Sequence, residues 1–444
     1  MTSSPRALGP RTLAARAEIA RRVRGELAVR PPERLVLLLP DWHARFAAVE
    51  LAGGFAVDEV LDGGYGACTY VLAWDVEREP IEAPALARYL GGYGDLTVCP
   101  DLASLTPDGD GAQLVVCDAG WPDGSPVDIA PRQVLRAQLA AAEELGLVPS
   151  VGIEHEVTFV DAGGAPLTPH GVDYALGGTE RLRPLLRDAR AALRDARLGV
   201  ESARGECHPG QYEIVLRHRD ALAACDDAML AQLLIRRAAA GHAATASYLA
   251  AERPGQGSSC HVHVSLSTLD GRPAGCADGA GTPSAVLGSF LAGVLHSAGD
   301  LTAIFAPTVN GYVRLRRSAF TPRVLRWGVD DRTAAVRLAG RGDSLRLECR
   351  FAGADAQPHL VVAAILAAGL AGVRAAAAPP PAGEVVGELA ATPWQALDRL
   401  TSGRAADLLG ATVVAHQAAM LSAELDAACD AVTDWQRRRA TRRT

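Results

Sequence analysis

Apolar positions in the first third of this chain come in short runs that glycine and aspartate clusters separate. Residues 33–39 (Glu-Arg-Leu-Val-Leu-Leu-Leu), followed by Pro40, end in five consecutive apolar residues. A run of this length predicts a buried strand. Residues 69–73 and 113–117 are further short pieces with β-like composition. The spacing therefore predicts a small, mostly β domain in this part of the chain.

The pattern changes at Pro131. A proline at a first helical position, followed by apolar residues at helical spacing, predicts an amphipathic helix that ends near Gly146. Helices then alternate with short strands as far as the three prolines at 379–381, and a helical tail closes the chain. The longest apolar run, residues 360–373, is 14 residues long, which is too short to span a bilayer and predicts a buried helix.

These patterns predict three parts of the chain. Residues 1–30, rich in arginine and alanine, predict an N-terminal helical extension. Residues 31–130 predict the β-rich domain, and residues 131–444 a larger mixed α/β domain with the helical tail. A chain of 444 residues is long enough for two to four domains and for a large core without disulfides.

Composition limits the binding partners and the cellular compartment that we expect for this protein. Hydrophobic residues make up 49% and charged residues 21%, as in ordinary globular proteins. A formal net charge of −7 argues against a nucleic-acid partner. The chain has no lysine, which a genome-composition bias explains most simply. Nine scattered cysteines without a Cys-x-x-Cys pair indicate free thiols in a reducing cytoplasm. The N-terminus lacks the apolar core of a signal peptide, so we expect a soluble, cytoplasmic protein without a membrane partner.

Two pairs of acidic residues lie in strand-like segments. Glu154 and Glu156 are two positions apart, so both carboxylates point to the same face of a strand. Paired anions need a cation or solvent to offset their repulsion, and a solvated strand face is the commoner explanation for such a pair alone. Glu206 and Glu213 bracket a Pro-Gly turn, a placement that is also common on ordinary hairpins.

Histidines and arginines supply the complementary groups. His261 and His263 have a spacing that places both on one strand face. A metal- or phosphate-binding pair and an unrelated pair of one core and one surface histidine are about equally good explanations. Several arginines crowd the region around Glu348, which suits phosphate or carboxylate substrates but also a surface ion-pair network. Those arginines are Arg314, Arg332, Arg337, Arg346 and Arg350.

Five glutamates and one histidine make an oxygen-rich ligand set. Hard divalent cations such as Mg²⁺ or Mn²⁺ suit these ligands, whereas Zn²⁺ would favour more histidine or cysteine. Metals among carboxylates beside arginines indicate phosphoryl-transfer chemistry. The spacing alone leads no further than this.

The order of these segments resembles the glutamine synthetase family over nearly the whole chain. No single motif is decisive, but the ordered series is specific. The matching motifs are Gly94-Asp95-Leu96, Pro100-Asp101-Leu102, residues 125–132, Glu154-His155-Glu156, residues 206–213, residues 257–266, residues 310–315, Trp327-Gly328, Asp331-Arg332, Arg337, residues 347–351 and Thr433-Asp434-Trp435.

The resemblance implies a role for each matching residue. The metal nearer glutamate would be held by Glu156, Glu206 and Glu213, and the metal nearer ATP by Glu154, His261 and Glu348. The nucleotide phosphates would be contacted by His263, Arg332 and Arg337. The glutamate substrate would be bound by Arg314 and by the loop with Gln256 and Gly257, and Arg350 would steady the phosphorylated intermediate.

The resemblance also implies a reaction and an assembly. ATP would phosphorylate the γ-carboxylate of glutamate, and an amine would then displace phosphate. The expected fold is α+β, with a β-grasp-like N-terminal domain and a catalytic domain that has an antiparallel sheet bearing helices. The expected assembly is a homo-oligomer of stacked rings, with active sites between subunits.

The segment after Arg314 departs from the family pattern. In ammonia-using members, an acidic residue on this segment closes over the ammonium site, but Phe320 stands there in this chain. An aromatic surface in place of an anion favours a larger amine with apolar bulk, as in the γ-glutamyl-amine ligases of the family. An ordinary glutamine synthetase and a non-catalytic ring subunit are the alternatives.

Overall fold

The computed structural model describes residues 13–86, 94–175, 177–278 and 281–441. Residues 1–12 of the predicted N-terminal extension lie outside the described residues. The helices are α1 (Leu13–Val29), α2 (Gly53–Phe55), α3 (Leu61–Gly63), α4 (Pro131–Glu144), α5 (Arg183–Asp195), α6 (Ala221–Ala240), α7 (Ala285–Ser297), α8 (Thr302–Phe305), α9 (Val309–Arg317), α10 (Pro358–Arg374), α11 (Pro393–Ser402), α12 (Ala405–Leu409), α13 (Ala411–Asp430) and α14 (Asp434–Thr441).

Before α4 the chain forms mostly strands, and after α4 strands alternate with helices. They are β1 (Arg34–Pro40), β2 (Phe46–Ala52), β3 (Tyr65–Cys68), β4 (Asp95–Pro100), β5 (Thr106–Pro107), β6 (Ala112–Gly120), β7 (Leu147–Asp161), β8 (Val200–Gly205), β9 (Gln211–Leu216), β10 (Arg219–Asp220), β11 (Ala244–Ser247), β12 (Ala251–Arg253), β13 (Gln256–Gly257), β14 (Cys260–Thr268), β15 (Val324–Leu325), β16 (Trp327–Val329), β17 (Val336–Ala339), β18 (Arg346–Cys349) and β19 (Gly387–Glu388).

The N-terminal sheet has the strand order β2-β1-β6-β4-β3, with β5 added beside β6. Strand β1 pairs antiparallel with β2 and parallel with β6. Both faces of β1 are covered, because Leu35 and Leu37 pack in the larger apolar core and Val36 and Leu38 in the smaller one. The buried strand predicted for residues 33–39 is therefore confirmed.

The prediction of a strand at residues 69–73 is wrong. These residues form a 3₁₀ turn, Thr69–Leu72. Pairing of β3 with β4 ends at Cys68, and the next amide, that of Thr69, donates to the carbonyl of Gly94 at 3.0 Å. The chain turns there, which buries Val71 and Leu72 in the core. Tertiary packing has overridden the β propensity of this sequence.

The large sheet has the order β16-β17-β18-β14-β7-β9-β8, and β10 and β11 also pair with β7. Its pairs are antiparallel except for β16 with β17. Helices α4 and α6 pack against β7, and helix α10 packs against α4, α6 and α7. The helix predicted from Pro131 and the buried helix predicted at residues 360–373 are both confirmed. The boundaries proposed at residues 30 and 130 stay predictions.

A buried charge cluster ties α1 to Asp101, which follows β4, and to helices α4, α6 and α10. Arg16 lies 2.6 Å from Asp101 and 3.0 Å from Asp226, and Arg132 lies 2.8 Å and 3.0 Å from the same two carboxylates. His359 at the start of α10 adds a contact to Asp226 at 2.9 Å. All five side chains are buried. Buried charges of this kind are tolerated only when they are paired, so the pairing of Arg16 fixes where α1 packs.

No helix among the described residues is long and apolar enough to cross a membrane.

Candidate metal and substrate site

Strand register gathers the predicted acidic residues on one face of the large sheet. Strand β7 lies between β14 and β9, so Glu154 faces His261 on one side and Glu156 faces Glu213 on the other. Residues two apart on a strand share a face, which places Glu154 and Glu156 together. Glu206 follows β8 directly and comes to the same place through the turn into β9.

The first carboxylate cluster consists of Glu156, Glu206 and Glu213. Each offers an oxygen that lies within 4.8 Å of the others. The turn that returns β9 beside β7 contains Gly210 at φ +72°, where a Cβ atom would lie 2.6 Å from the carbonyl oxygen of Phe159. Glycine is needed at such a position. The structure thus brings together the three residues predicted for the metal nearer glutamate.

Because the first cluster is buried, the negative charges of its carboxylates are poorly compensated unless a cation is bound. Burial, with the neighbouring Glu206, raises the pKa of Glu156 to about 7. Burial and the nearby Glu154 raise the pKa of Glu213 to about 8, despite the opposing effect of Arg204. Desolvation also raises the pKa of Glu206. Such shifts mean that the three groups resist ionising together, as expected where a bound cation is needed to offset their charge.

The second cluster is centred on Glu154. His261 Nδ1 lies 3.7 Å from Glu154 and 3.7 Å from Glu348, so the predicted set of three is also brought together. His263 joins it, because its Nε2 lies 2.9 Å from Glu154 and its Nδ1 accepts from Arg346 Nε at 3.2 Å. Burial raises the pKa of Glu154, but hydrogen bonds from His261 and His263 outweigh burial and hold this pKa well below its ordinary value.

Arg204 on β8 is not among the residues predicted from the sequence. Its guanidinium lies 3.0 Å from Glu206 and 2.9 Å from Glu213, and it stacks over the ring of Tyr174 at 5.2 Å. Arg204 is therefore the cation that touches the first cluster among the described residues. The sequence signal was its position two residues before Glu206, which places both on one side of the chain as β8 ends.

Two cavities adjoin the acidic residues. One, of about 360 Å³, is lined by the first cluster together with His261, Arg314 and Arg350. The other, of about 470 Å³, is lined by His263 and Arg346 with residues of β7, β9 and β14 and of the segment before β18. Glu154 lines both cavities. Ligands in the two cavities would therefore have the carboxylate of Glu154 as a common neighbour.

The predicted arginines differ in whether they line one of these cavities. Arg314 on α9 is buried, donates to the carbonyl of Phe351 at 2.8 Å and lines the first cavity; burial lowers its pKa to about 10, so it stays charged at neutral pH. Arg350 lies just past β18, is hydrogen-bonded to Glu348 and lines the same cavity, as does the exposed Arg332. Arg337 lines neither of these two cavities.

Arg337 is held by two carboxylates. Its Nη1 donates to Glu348 at 2.8 Å, and its other nitrogens are bonded to Asp330. Asp330 has a positive φ of 51°, which is uncommon for a residue other than glycine. The structure therefore places Arg337 in contact with Glu348 and Asp330, and its predicted contact with the nucleotide phosphates stays a prediction.

The loop residues are also near the first cavity. Gly257 lines it, and a Cβ atom there would lie 2.7 Å from Ser318 Oγ, so the close approach of α9 requires glycine. Gln256, its neighbour on β13, is not among the lining residues. Phe320 lines the cavity with 64% of its surface exposed.

Two further polar residues support the first cluster and are not among those predicted. Gln211 donates its amide to Glu156 at 3.0 Å and to the carbonyl of Gly257 at 2.9 Å. The backbone amide of Ser259 also donates to Glu156, at 2.7 Å. These contacts hold the carboxylate of Glu156 between β7 and the segment with Gly257 and Ser259. The spacing of residues along the chain does not predict this tertiary arrangement.

The residues present fit divalent cations. Three carboxylates converge in the first cluster, and carboxylate and imidazole groups converge in the second, with ligand atoms within 4.8 Å. Carboxylate oxygens suit Mg²⁺ and Mn²⁺. The raised pKa values of Glu156 and Glu213 give an independent reason for a cation at the first cluster.

Comparisons with known proteins agree with this chemistry. The catalytic domain of glutamine synthetase matches residues 128–440. A gamma-glutamylethanolamide synthetase of Streptomyces coelicolor is 38% identical over 433 residues, covering 93% of this chain and 93% of the relative. A glutamate–isopropylamine ligase of a Pseudomonas species is 33% identical over 322 residues, covering 68% of this chain and 70% of the relative. The solved structure of a GmaS/ADP complex has a TM-score of 0.83 at 24% identity, covering 94% of this chain and 99% of that one, and shows the same fold.

Proposed function

The chain belongs to the glutamine synthetase family, and we propose that it is an ATP-dependent ligase that joins glutamate to an organic amine as a γ-glutamyl amide. The observation that carries this proposal is the convergence of two clusters of ligand atoms beside two cavities that share Glu154. Such a site can hold an acid substrate in one cavity and a nucleotide in the other. The match to an ethanolamide synthetase along 93% of both chains supports an organic amine over ammonia.

The arginines of the first cavity suit the acid substrate. The buried guanidinium of Arg314 would bind the α-carboxylate of glutamate, while Gly257 would let that substrate approach the backbone closely. Arg332 and Arg350 would offset charge on the phosphoryl group as it moves between the cavities. His263, with Arg346 behind it, would face the nucleotide phosphates from the second cavity.

The reaction would proceed in two displacements. An oxygen of the γ-carboxylate attacks the γ-phosphorus of ATP, and the bond to ADP breaks. The nitrogen of the free amine then attacks the acyl carbon, the bond to phosphate breaks, and the proton of the nitrogen ends on the departing phosphate. Two divalent cations, held by the two clusters, would supply charge neutralisation for the phosphoryl group. Mg²⁺ and Mn²⁺ both fit the ligands.

The acceptor proposal rests on Phe320. This side chain lines the cavity and carries no charge, so it offers apolar contact and cannot deprotonate an ammonium ion. An ordinary glutamine synthetase would need an acid there. We also propose a homo-oligomer with sites between subunits, which light scattering of the purified protein would test.

The deciding experiment is phosphate release from ATP with glutamate and Mg²⁺ or Mn²⁺, across ammonium, alkylamines, amino alcohols and diamines, with products identified by mass. We expect an organic amine to exceed ammonium by at least tenfold in kcat/KM. Glu156→Gln should abolish turnover, whereas Glu144→Gln, on the exposed end of α4, serves as the matched control. Preference for ammonium would make the protein an ordinary glutamine synthetase, and no turnover with any amine would point to a non-catalytic subunit.

A further inference from the structure

Three side chains that line the first cavity have no assigned role in the proposed binding of metal, glutamate or phosphate. The turn between β8 and β9 contributes His208, and the segment after α9 contributes Phe320, with Tyr174 beside them. The ring centroids of His208 and Phe320 are 6.4 Å apart and their planes are tilted by 55°. The two rings therefore form a corner of the cavity. His208 lies two positions after Glu206 in the sequence.

His208 brings an unpaired polar atom to this corner. Its Nε2 is buried and has no hydrogen-bond partner among the residues described here. A buried polar atom without a partner is costly, and the cost is relieved when a ligand supplies a hydrogen bond. Phe320 offers the opposite chemistry, an exposed apolar ring suited to carbon atoms.

Charge beside these side chains limits what the ligand can carry. The guanidinium of Arg204 lies over the ring of Tyr174 and is held there by Glu206 and Glu213. The carboxylates of Glu206 and Glu213 are already paired with Arg204, so a second ammonium group on an acceptor would gain little attraction from them. The nearby carboxylate of Asp173 is exposed, so solvent and salt screen its attraction.

We propose that His208 and Phe320 form the subsite for the acceptor tail, and that this subsite selects a short primary amine ending in a hydroxyl group. Phe320 covers the carbon atoms, and His208 Nε2 makes a hydrogen bond to the hydroxyl. This inference rests on the proposed ligase function and names the class of its amine substrate. His208 is a binding residue in this account, and its contribution is to specificity.

The test compares three acceptors of nearly equal size: ethanolamine, n-propylamine and ethylenediamine. They differ only in whether the end opposite the reacting nitrogen is polar and neutral, apolar, or cationic. We expect kcat/KM for ethanolamine to exceed that for each of the others by about tenfold, chiefly through KM. Hydroxylamine, which has no tail, serves as the reference acceptor.

Variants of the two rings then separate binding from structure. His208→Phe keeps a ring against Phe320 and should reduce the ethanolamine preference over n-propylamine to near one, with a larger loss for ethanolamine than for hydroxylamine. His208→Gln restores a hydrogen-bonding group and should recover part of the preference. Phe320→Ala should raise KM for ethanolamine and n-propylamine alike. The control is His296→Phe, on the exposed surface of α7.

Two results would overturn the inference while leaving the ligase function intact. One is a wild-type preference for ethylenediamine or n-propylamine. The other is a loss in His208→Phe that is equal for ethanolamine, n-propylamine and hydroxylamine, which would make the residue structural. Absence of turnover with every amine would instead refute the proposed function, and the inference with it.

Discussion

Replacing Glu213 by glutamine should stabilise the metal-free protein and weaken its metal binding. The pKa of this carboxyl is raised from 4.5 to about 8, so the folded state keeps a proton that the unfolded state has lost. Stability therefore falls as pH rises from about 4.5 to about 8, since the unfolded chain binds fewer protons in that window. Fully developed, the effect corresponds to about 5 kcal/mol. Loss of the ion pair with Arg204 offsets part of it, leaving a net gain of about 3 kcal/mol above pH 8.

Thermal unfolding followed by circular dichroism would measure this effect. In EDTA at pH 8, Glu213→Gln should unfold about 3 °C above the wild type, and the difference should shrink at pH 6. With Mn²⁺ the order should reverse, because only the wild type gains the binding free energy of the ion at an intact cluster. Glu144→Gln should follow the wild type throughout. A difference in EDTA that does not grow between pH 6 and pH 8 would refute the reasoning about the buried carboxyl.

Three further predictions concern the same cluster and the buried charges beneath α1. Metal binding at pH 7 should release between about one and two protons from Glu213 and Glu156, whose pKa values are about 8 and about 7, as measured by calorimetry in buffers of different ionisation enthalpy. Arg204→Gln should tighten Mn²⁺ binding about tenfold, because one competing positive charge leaves the cluster, and calorimetry giving weaker binding would contradict this. Arg16→Met should cost about 3–5 kcal/mol in urea unfolding, whereas the exposed Arg22→Met should cost less than about 0.5 kcal/mol.

The sequence predicted which of these side chains share a strand face, because a strand has a fixed two-residue period. Spacing alone favoured a solvated face for Glu154 and Glu156, and the resemblance supplied their predicted role as ligands. Glu154 with Glu156, and His261 with His263, each needed only that period to share a face, and the turn at Gly210 returned Glu213 to them. The buried helix at α10 followed from an uninterrupted apolar run in the same way. Local periodicity was sufficient for the shared faces and for the helix, whereas the ligand roles stay predictions.

Features that depend on contacts between distant segments could not be predicted. Arg204 gains its importance from Glu213, which lies on the next strand, and Gln211 from a loop that carries Gly257. Residues 69–73 have strand composition, but the pairing of β3 ends before them. Propensity and spacing describe neighbours along the chain, whereas these outcomes are decided by neighbours in space.

The buried cluster around Arg16 has a consequence for the order in which the chain can fold during synthesis. Arg16 and Asp226 are 210 positions apart, so the ribosome needs ~10–40 s to reach the second partner after making the first. Until then, Asp101 is the available carboxylate for Arg16, Arg132 and Arg136, apart from Asp118 beside the latter two. The nascent N-terminal half thus carries surplus positive charge at its future centre. Final docking of α1 must wait for α6, so the first of the described helices to be translated is among the last to take its final position.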